Sequence, residues 1–102
     1  MDEIYMWEIL VPTVRNEGRP YRTRYHRVWD KRVREISGGL TITPPVKGTW
    51  LSDSGDLYME RMIPVRIACT SHEIEAIAEF TKSYYNQLKV LYYCVSTTVR
   101  FV

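Results

Sequence analysis

The sequence predicts an α+β fold: a ferredoxin-like βαββαβ sandwich, with an antiparallel sheet and two helices on one of its faces. Three observations lead there. Four segments carry apolar residues at the period of a strand, and two carry them at the period of a helix. The six follow the order strand, helix, strand, strand, helix, strand. A short polar turn separates the middle pair, so two split βαβ halves are joined by a hairpin.

Residues 3–12 read as the first strand, ended by Pro12. Tyr5, Trp7, Ile9 and Val11 share one face, and Met6, Glu8 and Leu10 the other. Both faces are mostly apolar, which suits a central strand covered on both sides. Asn16-Glu17-Gly18 and Pro20 mark a loop. A helix is expected over residues 21–37, because Tyr25, Val28, Trp29, Val33 and Ile36 recur at helical spacing. Gly38-Gly39 stops it.

Residues 40–52 begin with the alternating Leu40-Thr41-Ile42-Thr43, and Pro44-Pro45 then bends the strand or confines it to an edge. Ser52-Asp53-Ser54-Gly55-Asp56 is the clearest turn. The long strand 57–69 places Ile63, Val65, Ile67 and Cys69 on one face, with Glu60, Met62, Pro64, Arg66 and Ala68 opposite. Thr70-Ser71-His72-Glu73 is a capping box that opens a helix over residues 71–88, with Ile74, Ile77, Ala78 and Tyr84/Tyr85 on its buried stripe. Val90 to Val95 is the last main strand, and residues 97–102 are offered as a short extra one. The open sheet face carries Met6, Leu10 and Met62, which favours self-association.

The chain has 102 residues, 45% of them hydrophobic and 25% charged. This is the composition of one globular domain, here residues 1–102, and it excludes intrinsic disorder. No apolar run approaches the roughly 18 residues of a transmembrane helix. The opening Met1-Asp2-Glu3 is acidic, unlike a secretory signal. Cys69 and Cys94 lack metal-ligand spacing and read as free thiols in a reducing, cytoplasmic setting. Neither histidine stands at metal-ligand spacing, so no metal or cofactor is expected. There is no P-loop, GxGxxG or GxSxG, which argues against a kinase, dehydrogenase or classical hydrolase.

Four signals remain. The segment 15–34 holds Arg15, Arg19, Arg22, Arg24, Arg27, Lys31, Arg32 and Arg34, eight of the 14 basic residues, against Glu17 and Asp30. It is either an anion site or a solvated helix face. The net charge of only +2 and the lack of any recognition motif argue against nucleic acid as partner. Glu60 lies within an apolar alternation, either paired with a base such as Arg66 or presented to a ligand at an interface. Trp50, beside Gly48 and Thr49, is either a core plug or a platform for a flat or cationic ligand. Asn86-Gln87 either caps a helix or faces a cleft.

Taken in order, Gly39-Leu40-Thr41, Gly48-Thr49-Trp50, Glu60, Val65 to Cys69 and Gln87 to Leu91 resemble a family of small bacterial and phage βαββαβ proteins of unassigned function. More remotely, the same residues are similar to the phage S-adenosylmethionine lyases, long called S-adenosylmethionine hydrolases, which resemble trimeric PII signalling proteins. That resemblance implies a homotrimer with substrate bound between subunits. It places Glu60 and Gln87 at the catalytic positions and Trp50 where an aromatic residue lies near the substrate. Ligand contacts are also expected from Thr49, Tyr58, Arg66, Arg22 and Arg24. The implied reaction splits S-adenosylmethionine into methylthioadenosine and homoserine lactone. The alternatives are a non-catalytic PII-like module with the segment 15–34 arginines on a nucleotide's phosphates, and a phage protein that blocks a host partner.

Overall fold

The computed structural model describes residues 3–102; Met1 and Asp2, which open the acidic N-terminus, lie outside them. The elements are β1 (Tyr5–Pro12), α1 (Thr23–Ser37), β2 (Thr41–Ile42), β3 (Val46–Leu51), β4 (Leu57–Cys69), α2 (Ser71–Tyr84) and β5 (Tyr92–Ser96). This is the α+β architecture expected, a five-stranded antiparallel sheet with two helices. β1 lies at its centre, paired with β4 from Tyr5↔Cys69 to Pro12↔Met62 and with β5 on its other edge.

The expected second strand is broken in two by Pro44-Pro45. β2 pairs with Val65 and Arg66 of β4, and β3 pairs with Leu57 to Met62 of the same strand. Proline offers no N–H to a ladder. Thr43 bridges the gap, with its amide and its hydroxyl both donating to the Pro64 carbonyl at 3.1 and 2.9 Å. The extra strand at residues 97–102 does not form. The Ser96 hydroxyl accepts from the Thr98 amide and donates to the Thr98 carbonyl, a local turn that competes with any ladder.

α1 ends at Gly38, whose φ of 89° and N–H bond to the Arg34 carbonyl at 2.8 Å make a left-handed cap. Its stripe is narrower than the spacing suggested: Trp29 and Val33 are buried, but Val28 is exposed. The capping box at Thr70 and Glu73 forms in both directions. α2 stops four residues short of the expected end. Asn86 takes φ 52°, its amide bonds the Ser83 carbonyl, and the Gln87 amide bonds the Lys82 carbonyl. Those two bonds are a Schellman motif with asparagine in the place usually held by glycine.

Between sheet and helices lies one apolar core. Ile9, Val11, Val65, Ile67 and Cys69 meet Trp29, Val33, Ile74, Ile77 and Tyr85. Burying each large side chain contributes about 1.5–3 kcal/mol. The indole of Trp29 donates to the Thr81 hydroxyl at 2.9 Å, and that hydroxyl donates to the Ile77 carbonyl. Among the described residues, no buried side-chain nitrogen or oxygen is left without a partner.

By contrast, β3 and the first five residues of β4 are almost wholly exposed. They form an arm closed by the Ser52–Asp56 turn, in which Ser52 accepts from Gly55 and Asp56. Among the described residues no helix is long and apolar enough to cross a membrane.

Candidate functional site

Where the arm leaves the body, a cleft of about 430 Å³ opens. Strand alternation builds one wall. Gly48 lies opposite Glu60 and Trp50 opposite Tyr58, so Gly48, Trp50, Glu60 and Met62 share the sheet face turned away from the buried Val65 and Ile67. Leu10 and Pro12, from the end of β1, continue that wall. The other wall is the α2–β5 connection, with Gln87, Lys89, Val90 and Leu91. The Leu10 amide donates to the Leu91 carbonyl at 3.1 Å and ties the two walls together.

Gln87 owes its place to the Schellman turn. Its side-chain amide donates to the Tyr85 carbonyl at 2.9 Å, and Asn16 donates to the Asn86 carbonyl at 2.9 Å. The Gln87 side chain thus bonds the carbonyl at the end of α2 and also lines the cleft, while Asn86 ends the helix through its main chain. Glu60 makes no side-chain hydrogen bond or ion pair among the described residues. Trp50 is 54% exposed, so it is not a core plug.

Of the residues singled out from sequence, Glu60, Gln87, Trp50 and Thr49 line this one cleft. Tyr58 lies further out on the arm, across from Trp50. Arg66 does not pair with Glu60. They stand six positions apart along β4, roughly 20 Å. Arg66 lies opposite Glu8 in register and donates to its carboxylate at 3.0 Å. The Tyr93 hydroxyl donates to the other oxygen of Glu8, which is the one buried carboxylate among the described residues. Only the isolated glutamate in the Met6/Glu8/Leu10 face hinted at this trio. Arg22 and Arg24 are absent from the cleft and line a separate hollow at the start of α1. Lys89 was not singled out; its closeness to Gln87 in sequence was the available signal.

No protein-family model matches the chain, and no curated protein matches it with significance. Solved structures do. The stable protein CutA1 of the psychrotrophic bacterium Shewanella sp. SIB1 is 12% identical, with 98% of this chain and 86% of that one covered at a TM-score of 0.72. The divalent cation tolerance protein CutA1 of Thermus thermophilus is 15% identical, covering 91% and 82%, at 0.62. A phage S-adenosylmethionine lyase in complex with S-methyl-5'-thioadenosine is 13% identical, covering 97% and 85%, at 0.71. At these identities the likeness establishes the fold. The divalent cation tolerance proteins are an addition to what the sequence motifs suggested. Among the described residues no three His, Cys, Asp or Glu side chains cluster as a metal site would need.

Proposed function

We propose that the chain is an S-adenosylmethionine lyase that acts at the cleft between arm and body, in a homotrimer whose neighbouring copies close that cleft. The observation that carries this reading is the meeting of Glu60, Gln87 and Trp50, from three separate elements, around one largely apolar cleft. The similar phage lyase, bound to S-methyl-5'-thioadenosine, supports the same ligand class.

The chemistry asks little of the protein. The substrate carboxylate attacks its own γ-carbon, the carbon–sulfur bond breaks, and its electron pair returns to sulfur. The products are homoserine lactone and methylthioadenosine, with no water consumed and no proton moved. A carboxylate and a sulfonium cancel as the reaction proceeds, so a dry pocket that holds the reactive conformer accelerates it. Glu60 holds the cationic end of the substrate, Trp50 stacks on the adenine or the sulfonium, and Gln87 hydrogen-bonds a polar edge. The exposed Leu51, Leu57, Tyr58 and Met59 of the arm supply the apolar surface that a second copy covers.

The test mixes purified protein with S-adenosylmethionine and follows products by liquid chromatography and mass spectrometry, beside Glu60→Gln. Methylthioadenosine and homoserine lactone from the parent chain, with a loss of at least about 100-fold in the variant, is the expected result. A folded, oligomeric parent chain that yields neither product overturns the reading.

A further inference from the structure

The hollow at the start of α1 is a second site in its own right. It has a volume of about 450 Å³ and is lined by Arg15, Arg22 and Arg24 against Tyr25 and Tyr84. Its position is set by rigid parts. The loop before α1 is pinned by the Arg15 amide on the Arg19 carbonyl at 2.7 Å and the Tyr21 amide on the Thr13 carbonyl at 3.0 Å. The Arg15 guanidinium lies over the Tyr21 and Tyr25 rings, at 4.7 and 5.2 Å from their centroids. A guanidinium stacked by its face keeps its in-plane N–H donors free for an anion.

Among the described residues no carboxylate stands within ion-pair distance of the three arginines, although Glu17 feels the charge of Arg15 from further off. Arg19 is paired with Glu17 and Arg32 with Glu35, but Arg15, Arg22 and Arg24 take part in no ion pair among the described residues. The first turn of α1 contains no acidic residue, and Arg22 at its N-cap offers no side-chain acceptor. Three arginines line one hollow, beside a helix start with no acidic residue in its first turn, and together they form a concentrated positive field.

We propose that this hollow binds a compact polyphosphate, either free or as the phosphate chain of a nucleotide. It is independent of the adenosyl cleft and does not involve Glu60. The convergence of the arginines on one hollow selects a small, highly charged anion over an extended nucleic-acid backbone.

Isothermal titration of the full chain with inorganic pyrophosphate, with ATP and with a single-stranded oligonucleotide tests this. Pyrophosphate and ATP are expected to saturate one site per chain. The double variant R22A/R24A weakens both at least tenfold, while R32A/R34A, at the far end of α1, leaves both within twofold. All four arginines are exposed, and matching thermal melts verify the fold. Equal affinities assign the site to the polyphosphate alone, and a tighter ATP assigns it to a nucleotide. Lack of saturable pyrophosphate binding, equal weakening by both double variants, or preference for the oligonucleotide overturns the proposal.

Discussion

Tyr25 and Tyr84 exchange hydrogen bonds: each phenol donates to the other residue's main-chain carbonyl. Their rings stack with centroids 4.2 Å apart, Tyr21 continues the stack on one side at 5.0 Å, and Phe80 on the other at 5.3 Å. This column fastens the start of α1 to the end of α2. It also fixes the wall of the arginine hollow and adjoins the turn that carries Gln87.

Tyr84→Phe removes one donor and leaves the part-buried Tyr25 carbonyl without it. The expected loss is about 1–3 kcal/mol, read from urea unfolding. A smaller loss in Tyr84→Phe than in Trp29→Phe is also expected, since the latter change opens a void in the full core.

Asn86 is the one residue other than glycine with positive φ among those described. Asn86→Gly is expected to keep both the fold and the ligand affinity of the cleft. Asn86→Val puts a β-branched residue where the left-handed region costs about 1–2 kcal/mol. It lowers the melting temperature and weakens methylthioadenosine binding together, because Gln87 moves with the turn.

His26 is held below its ordinary pKa by burial, and Asp30 opposes this only partly. Its Nδ1 lies 2.6 Å from the Tyr85 hydroxyl. A base whose folded pKa is depressed binds fewer protons in the folded state. Stability is therefore complete above about pH 6.5 and is lost as pH falls from there through the folded value. Asp30 is shifted upward by burial and acts on stability in the opposite sense. Thermal melts between about pH 7.5 and 5 are expected to show a decline that is absent in His26→Gln.

Cys69 is buried among the core residues, and desolvation pushes its thiol up to about 12. Cys94 is exposed. Mass spectrometry after iodoacetamide treatment is expected to find one alkylated thiol in the native chain and two in urea.

Much of the fold was legible because its signals are local. The capping box, Gly38, the Ser52–Asp56 turn and the alternation in residues 57–69 each act within a few residues. What was misread depends on partners distant in sequence or on competition between them. The Asn86 turn shortened α2 because two main-chain bonds outweighed helical spacing, and Ser96 stopped β5 by bonding Thr98. Arg66 found Glu8 because the register of β1 against β4 decides which charges face each other. Motifs brought Glu60, Gln87, Trp50 and Thr49 to attention. Composition alone could not divide the basic segment, since only the fold gathers Arg15 with Arg22 and Arg24, pairs Arg19 with Glu17 in the loop, and leaves Arg27, Lys31, Arg32 and Arg34 on the helix.

β4 spans two environments within a single unbroken strand. From Met62 to Cys69 it lies in the sheet above the core, and from Leu57 to Arg61 it belongs to the exposed arm. Its amides are thus expected to divide into two populations in deuterium exchange: slow ones that open only with the whole molecule, and fast ones that open as the arm frays. Glu60 lies just outside that boundary. Any ligand or second copy that grips Glu60 extends the slow zone outward, and exchange along this one strand becomes a direct gauge of occupancy at the cleft.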